Sequence, residues 1–194
     1  KTVVIFGGSG FIGQNIIYYL VKKGYRIVIP YQQKNNEAKL RLLGSIGQVI
    51  PIKFNNLSLN LIHDIIKKAD VLVNLKTIWR ERKPYSYKKD ILNFNEQLID
   101  LINSINKKKP FIFFSGLGVS EKSLSLRTRY ISKVEKYIKT HVENYTIIRS
   151  SLILGKDGHF LRKLLSIFKI SYFIPLFGSG NTKFHPVFID DIAK

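Results

Sequence analysis

The glycine-rich bend Phe6-Gly7-Gly8-Ser9-Gly10-Phe11-Ile12-Gly13 constrains this chain more than any other stretch. It follows Thr2 to Phe6, a β-branched and aromatic run that reads as a strand buried on both faces. It opens Phe11 to Lys23, where Ile12, Ile16, Ile17, Leu20 and Val21 recur at helical spacing and Gly24 stands at the C-terminal cap. Two registers fit: Gly7-Gly10-Gly13 as G-x-x-G-x-x-G, or Gly8-Gly10-Gly13 as G-x-G-x-x-G. Both remove Cβ atoms from a strand-to-helix turn, so that a pyrophosphate can approach the amides of Gly7, Gly8, Ser9, Gly10, Phe11, Ile12 and Gly13. The helix start then offers the phosphates free N–H groups and the positive end of its dipole. A strand before and a helix after this turn predict a dinucleotide site.

The same segment could be mistaken for a membrane span, because Thr2 to Val21 contains no charged residue. Four glycines interrupt it, together with Ser9, Gln14 and Asn15, and no A-x-A cleavage site follows. No transmembrane span is expected.

Beyond the bend the pattern repeats. Strands are expected at Tyr25 to Pro30, Gln48 to Phe54, Asp70 to Leu75, Phe111 to Ser115, Tyr145 to Arg149 and Val187 to Ile189. Helices are expected at Glu37 to Leu43, from a Ser58 cap through Lys68, and over Lys88 to Asn106, Arg129 to Thr140 and Phe160 to Phe168. Ile174 to Gly178 reads as a loop or short strand, and Asp190 is placed to start a last helix. Strands alternating with helices need crossover connections, so the fold class is α/β: a Rossmann-type, doubly wound parallel sheet with helices on both faces. The 194 residues suit one such domain over 1–194. Lys1 and the absence of Met place the natural start outside the chain, and a further C-terminal segment is expected after Lys194.

Charge and residue usage exclude several functions. Lys and Arg number 32 against 13 Asp and Glu, a net charge of +19. The densest basic stretch, residues 107 to 139, holds nine Lys/Arg against two Glu, but without the interleaved aromatic residues of nucleic-acid modules. It reads as solvated helix faces, with anionic lipid headgroups or an acidic neighbour as the other partners. Absence of cysteine removes disulfides, thiolate catalysis and thiolate zinc sites. His63, His141, His159 and His185 lack metal-ligand spacing, and no metal is expected.

At the ribose end, an NAD-preferring Rossmann fold places Asp or Glu after the second strand. Here the stretch reads Tyr31-Gln32-Gln33-Lys34-Asn35-Asn36, and Glu37 comes too late. Nothing repels a 2′-phosphate, and Gln32 or Lys34 can bond it, so NADP(H) is favoured over NAD(H).

Together with the glycine bend, Val28-Ile-Pro-Tyr31, Gly47-Gln-Val-Ile50, Ala69 to Leu75, Thr146 to Arg149 with Gly155, Pro175 to Gly178 and His185 to Ala193 resemble the short-chain dehydrogenase/reductase superfamily. The resemblance is to its atypical, extended branch. Within it, the Ile-Pro-Tyr and Gly-Gln-Val segments are similar to the nucleotide-binding accessory subunits of respiratory complex I and their bacterial relatives. By position, the resemblance implies Asn55 beside the adenine, Leu75 and Lys76 along the cofactor, Ser115 near the nicotinamide, and Ser150 and Ser151 in place of a usual Pro-Ser. Lys76 stands where a small residue is common and would crowd the site. The resemblance further implies complex I subunits as partners, and a bacterial cytoplasmic or mitochondrial matrix-side location, peripheral to the inner membrane.

Active members pair a Tyr with a Lys four residues later, whose ammonium lowers the phenol pKa. This chain has Tyr130 and Lys133 three apart, a difference of about 100° around a helix. Tyr130 and Lys133 are therefore catalytic, with Lys133 also touching cofactor, only if the helix start is distorted. The expectation is an NADP(H)-binding accessory or structural subunit with little or no hydride transfer. The alternative is an active oxidoreductase or sugar-nucleotide epimerase/dehydratase.

Overall fold

The computed structural model describes residues 1–32, 37–170, 181 and 183–194. Expectations resting on Lys34 and on Ile174 to Gly178 lie outside these residues. The chain runs β1 (Thr2–Phe6), α1 (Phe11–Lys22), β2 (Arg26–Tyr31), α2 (Glu37–Arg41), β3 (Val49–Lys53), α3 (Asn60–Lys68) and β4 (Val71–Asn74). It continues through α4 (Phe94–Asn106), β5 (Phe111–Gly116), α5 (Leu126–His141), β6 (Tyr145–Ser150), β7 (Ile153–Leu154), α6 (His159–Ile170), β8 (Val187–Phe188) and α7 (Ile189–Ala193).

Six parallel strands form one sheet in the order β3-β2-β1-β4-β5-β6. The chain builds outward from β1 to β3, then returns to lay β4 on the other side of β1. That reversal opens a crevice at the carboxyl ends of β1 and β4, where Phe6 pairs with Asn74 and the Leu75 amide donates to the Phe6 carbonyl (2.8 Å). Ligand sites of open parallel sheets form at such a reversal.

The alternation of the strands decides how the helices pack. Val4, Phe6 and Val28 face the core shared with α3, α4 and α5, whereas Val3, Ile5, Ile27 and Ile29 face the core shared with α1 and α7. Both faces are apolar because both are covered, which is why β1 and β2 read as continuous hydrophobic runs.

Several local expectations change. Ser58 does not cap α3. The helix begins at Asn60 behind Leu59, and the Ser58 hydroxyl donates to Asn56 Oδ1 (2.8 Å). The single helix expected over Lys88 to Asn106 opens instead as a wide π-helical turn, Lys88–Asn93. There Asp90 accepts from the Ser86 amide (2.9 Å) and Asn95 Nδ2 donates to the Ile91 carbonyl (2.6 Å), so side chains join the backbone ladder. Strand β7 was not anticipated, because two residues carry no periodicity; it pairs with β8 in a separate parallel pair.

The basic stretch is not uniformly solvated. Lys109 is buried, and its Nζ donates to the carbonyls of Ile66 (2.7 Å), Lys67 (2.9 Å) and Ala69 (2.6 Å). These are the orphan acceptors at the end of α3, so this cation is a helix cap supplied from the loop before β5. Among the described residues, no helix is long and apolar enough to cross a membrane.

Candidate functional site

The glycine bend joins β1 to α1 at the crevice. Gly7 has φ 77°, a left-handed conformation that side chains disfavour. A Cβ there would lie 2.7 Å from the Lys76 nitrogen and 2.8 Å from the Leu75 carbonyl carbon, so the bend packs directly on the end of β4. A Cβ on Gly13 would lie 2.5 Å from Cα and O of Gly8, which makes Gly13 the point where α1 touches the bend. The left-handed residue is thus Gly7, the first glycine of the G-x-x-G-x-x-G register. Gly8 is needed as well, because Gly13 lies against its backbone.

The bend is held from within. The Gly10 amide donates to the Gly7 carbonyl (3.1 Å), and Gln14 Nε2 donates to the Ser9 carbonyl (2.7 Å). Helix α1 then starts at Phe11 with no side-chain cap on its first amides and no acidic residue in its first turn. A helix start left this way has donors and a positive dipole end available to an anion. The Phe11 ring fits the space left by Gly155, where a Cβ would lie 2.6 Å from Phe11 Cζ and 2.7 Å from Ile189 Cγ2. The bend is thereby tied to the segment after β7.

At the outer end of the crevice, Gln32 and Asn55 meet beyond the ends of β2 and β3. Gln32 Nε2 donates to the Asn55 backbone carbonyl (3.4 Å), and both residues are exposed. Glu37 is occupied elsewhere. It accepts from the Tyr31 hydroxyl (2.6 Å) and from Arg41 Nη2 (2.7 Å), and these bonds hold its carboxyl below the usual range. No carboxylate is free at the end of β2 among the described residues.

The end of β4 is fixed by a polar pair that the sequence did not disclose. Asn74 is wholly buried (0% exposed); its Nδ2 donates to Asn95 Oδ1 (2.6 Å), and its Oδ1 accepts from the Lys76 amide (2.9 Å). The Lys76 side chain does not stand in the crevice. It folds back over Phe94, with Nζ 3.7 Å from the ring centroid, and burial pulls its pKa down to about 8 against the opposing pull of Asp90.

At the far end the polar groups satisfy one another. Glu135, 3% exposed on α5, accepts from Ser115 Oγ (2.5 Å), from Arg149 Nε (3.0 Å) and from Arg149 Nη2. Burial pushes its carboxyl up, but the bonds from Arg149 and Ser115, with the charge of Arg149, outweigh burial and hold it below the usual range. Eight residues earlier, Arg127 Nε donates to the Ile78 carbonyl (2.9 Å) and Nη2 to Thr77 Oγ1 (3.0 Å), while its guanidinium lies 4.3 Å from the centre of the Trp79 ring. Arg127, buried Ile131 and Glu135 therefore form one stripe of α5, four residues apart, directed at the loop after β4 and the ends of β5 and β6.

Tyr130 and Lys133 lie off this stripe. Tyr130 is half-buried, its ring 6.4 Å from that of Tyr87. Lys133 is exposed, with Nζ 5.4 Å from the Tyr130 ring centroid and over its face. Ser150 ends β6 beside Gly116, its carbonyl accepting from the Leu117 amide (2.9 Å), and Ser151 follows half-buried. The strand ends thus carry Leu75 and Lys76 against Gly7, Ser115 bonded to Glu135 and Ser150 beside Gly116, while Tyr130 and Lys133 lie against Tyr87 and each other. Sequence patterns had no signal for Glu135 or Arg127, since a buried charge on a basic helix looks like one more surface residue until its partners are placed.

Comparison with known proteins agrees with this architecture. The chain is 29% identical over 193 residues to the NADH dehydrogenase [ubiquinone] 1 alpha subcomplex subunit 9, mitochondrial, of Arabidopsis thaliana, covering 99% of this chain and 48% of that protein. The Dictyostelium discoideum protein of the same name is 27% identical, over 100% of this chain and 53% of its own length. The chain thus spans about half the length of these relatives. Among solved structures, MoeE5 in complex with UDP-glucose and NAD superposes with a TM-score of 0.76 at 17% identity, covering 100% of this chain and 69% of that one. The human epimerase family protein SDR39U1 with NADPH gives 0.65 at 18% identity, covering 100% and 68%. Residues 3–194 match the NAD-dependent epimerase/dehydratase family, and the chain belongs to that family.

Proposed function

We propose that this chain is the nicotinamide-dinucleotide-binding domain of an accessory subunit of the respiratory complex I type, holding NADP(H) as a structural ligand with little or no hydride transfer. The observation that carries this reading is the glycine cradle under the uncapped start of α1, with Gly7 and Gly13 at positions where a Cβ would collide with backbone. The relatives named as mitochondrial alpha subcomplex subunit 9 support a complex I partner and a mitochondrial location. Preference for NADP(H) is supported by the lack of a free carboxylate after β2, where Glu37 is held by Tyr31 and Arg41.

Loss of hydride transfer is supported by the stripe on α5. A Tyr and Lys four apart, facing the ends of β4 and β5, would have to occupy positions 127 and 131, where Arg and Ile stand. The Ser115 hydroxyl, which would meet a substrate carbonyl, is given to Glu135. Thermal melting with NADPH, together with a turnover assay, tests the proposal. The melting temperature should rise, as expected for a ligand that binds only the folded state, with no NADPH consumed.

A second reading, an active oxidoreductase or sugar-nucleotide epimerase working through Tyr130 and Lys133, is favoured by membership of the family and by the fold shared with MoeE5. It requires turnover that Tyr130→Phe abolishes. Turnover unchanged in that variant removes Tyr130 from the chemistry.

A further inference from the structure

Lys76 is the residue of β4's end that lies against the glycine bend, its nitrogen and Cα 2.7 and 2.9 Å from where a Gly7 Cβ would be. Its main chain cannot drift, because the amide is bonded to Asn74 Oδ1 and Asn74 is itself held by Asn95. Its side chain, in contrast, is held by little. Among the described residues the ammonium has neither a hydrogen-bond acceptor nor an ion-pair partner, only the face of Phe94. The charged groups facing it are Asp90, which attracts it, and Lys89, which repels it, both from the π-helical turn before α4. Asp90 has one carboxylate oxygen bonded to the Ser86 amide, and the first turn of α1 presents no acid. A half-buried cation without an acceptor is in an unfavourable place, and a four-carbon stem lets it leave.

We propose that Lys76 is a swinging cation, whose ammonium leaves Phe94 to pair with the pyrophosphate of a dinucleotide held by the Gly7–Gly13 bend and so makes binding depend on the Lys76 proton. This rests on the dinucleotide reading above and adds to it a residue and a pH response. In the ligand-free chain burial lowers the ammonium's pKa to about 8, so it is half deprotonated at that pH. A neutral amine offers the phosphates no charge and only weak donors, so affinity falls as the pH rises through that value; a bound phosphate keeps the proton on. Binding therefore takes up a proton on the alkaline side.

Calorimetric titration with NADPH and with NADH between pH 7 and 9.5 tests this on the intact chain, with Lys76→Met and Lys76→Arg beside it. Kd should rise about tenfold between pH 7 and pH 9, with proton uptake visible as a dependence of the binding heat on the buffer. Lys76→Met should bind more weakly at pH 7 and lose the pH dependence; Lys76→Arg should keep a pH-independent charge and the affinity. Equal affinity of wild type and Lys76→Met at every pH overturns the swinging cation and leaves the dinucleotide reading intact. No binding of either nucleotide by the folded wild type at any pH overturns both.

Discussion

The two ends of the crevice handle their polar groups in opposite ways. At the β1–α1 end the donors are backbone amides, the helix start is uncapped, and glycine keeps side chains out. At the β5–α5–β6 end, Ser115 and Arg149 both donate to Glu135, and Arg127 donates to Thr77 and Ile78. The first end is built to receive an anion. At the second, these side chains are bonded within the fold, and a substrate would have to compete with those bonds to engage them. This contrast is what the proposed function requires: ligand binding at one edge of the sheet and packing at the other.

That contrast can be broken most sharply at Gly13. Gly13→Val drives a branched side chain into the Gly8 backbone, and overpacking of this kind costs about 1–3 kcal/mol. The variant should melt lower and lose the NADPH-dependent rise in melting temperature; a full rise would contradict the cradle. At the other end, Glu135→Gln should cost about 1–2 kcal/mol, kept modest because the Arg149 side chain is 45% exposed and partly hydrated. Its response to NADPH should be retained.

The same residue sets a pH test. Glu135 has a folded pKa below its unfolded value, so its contribution is complete above the ordinary Glu pKa and is lost as the pH falls through the folded one. Urea melts should show stability declining on acidification in the wild type and less steeply in Glu135→Gln.

A smaller effect is expected at Arg127. Arg127→Ala removes two hydrogen bonds from the loop after β4 and uncovers one face of Trp79, for about 1 kcal/mol and a shift in tryptophan emission. Trp79 is the sole tryptophan of the chain and is 73% exposed, so the emission reports on that loop alone. The smallest effect belongs to Tyr130→Phe. It should leave the NADPH response unchanged and stability within about 0.5 kcal/mol.

The glycine bend was legible in the sequence and the β5–α5–β6 end was not, for a physical reason. Glycines act through the backbone and their effect is local, so Gly7, Gly10 and Gly13 between a strand and a helix announced the turn before any contact was known. The unbroken apolar run Val3, Val4, Ile5 and Phe6 likewise told that both faces of β1 are covered. Glu135 and Arg149 are fourteen residues apart in the chain and meet only because α5 crosses between β5 and β6. Lys109 similarly looked like part of a basic run, yet its partners, Ile66, Lys67 and Ala69, lie about forty residues away in the chain, with β4 and α4 between. Long-range pairing of single charges leaves no period to read.

Calorimetric titration of the folded chain with NADPH and NADH addresses the claim on which the rest depends, that the bend wraps a dinucleotide diphosphate. The account predicts saturable one-to-one binding, tighter for NADPH, that Gly13→Val abolishes. A chain that melts cooperatively yet gives no heat with either nucleotide would contradict it.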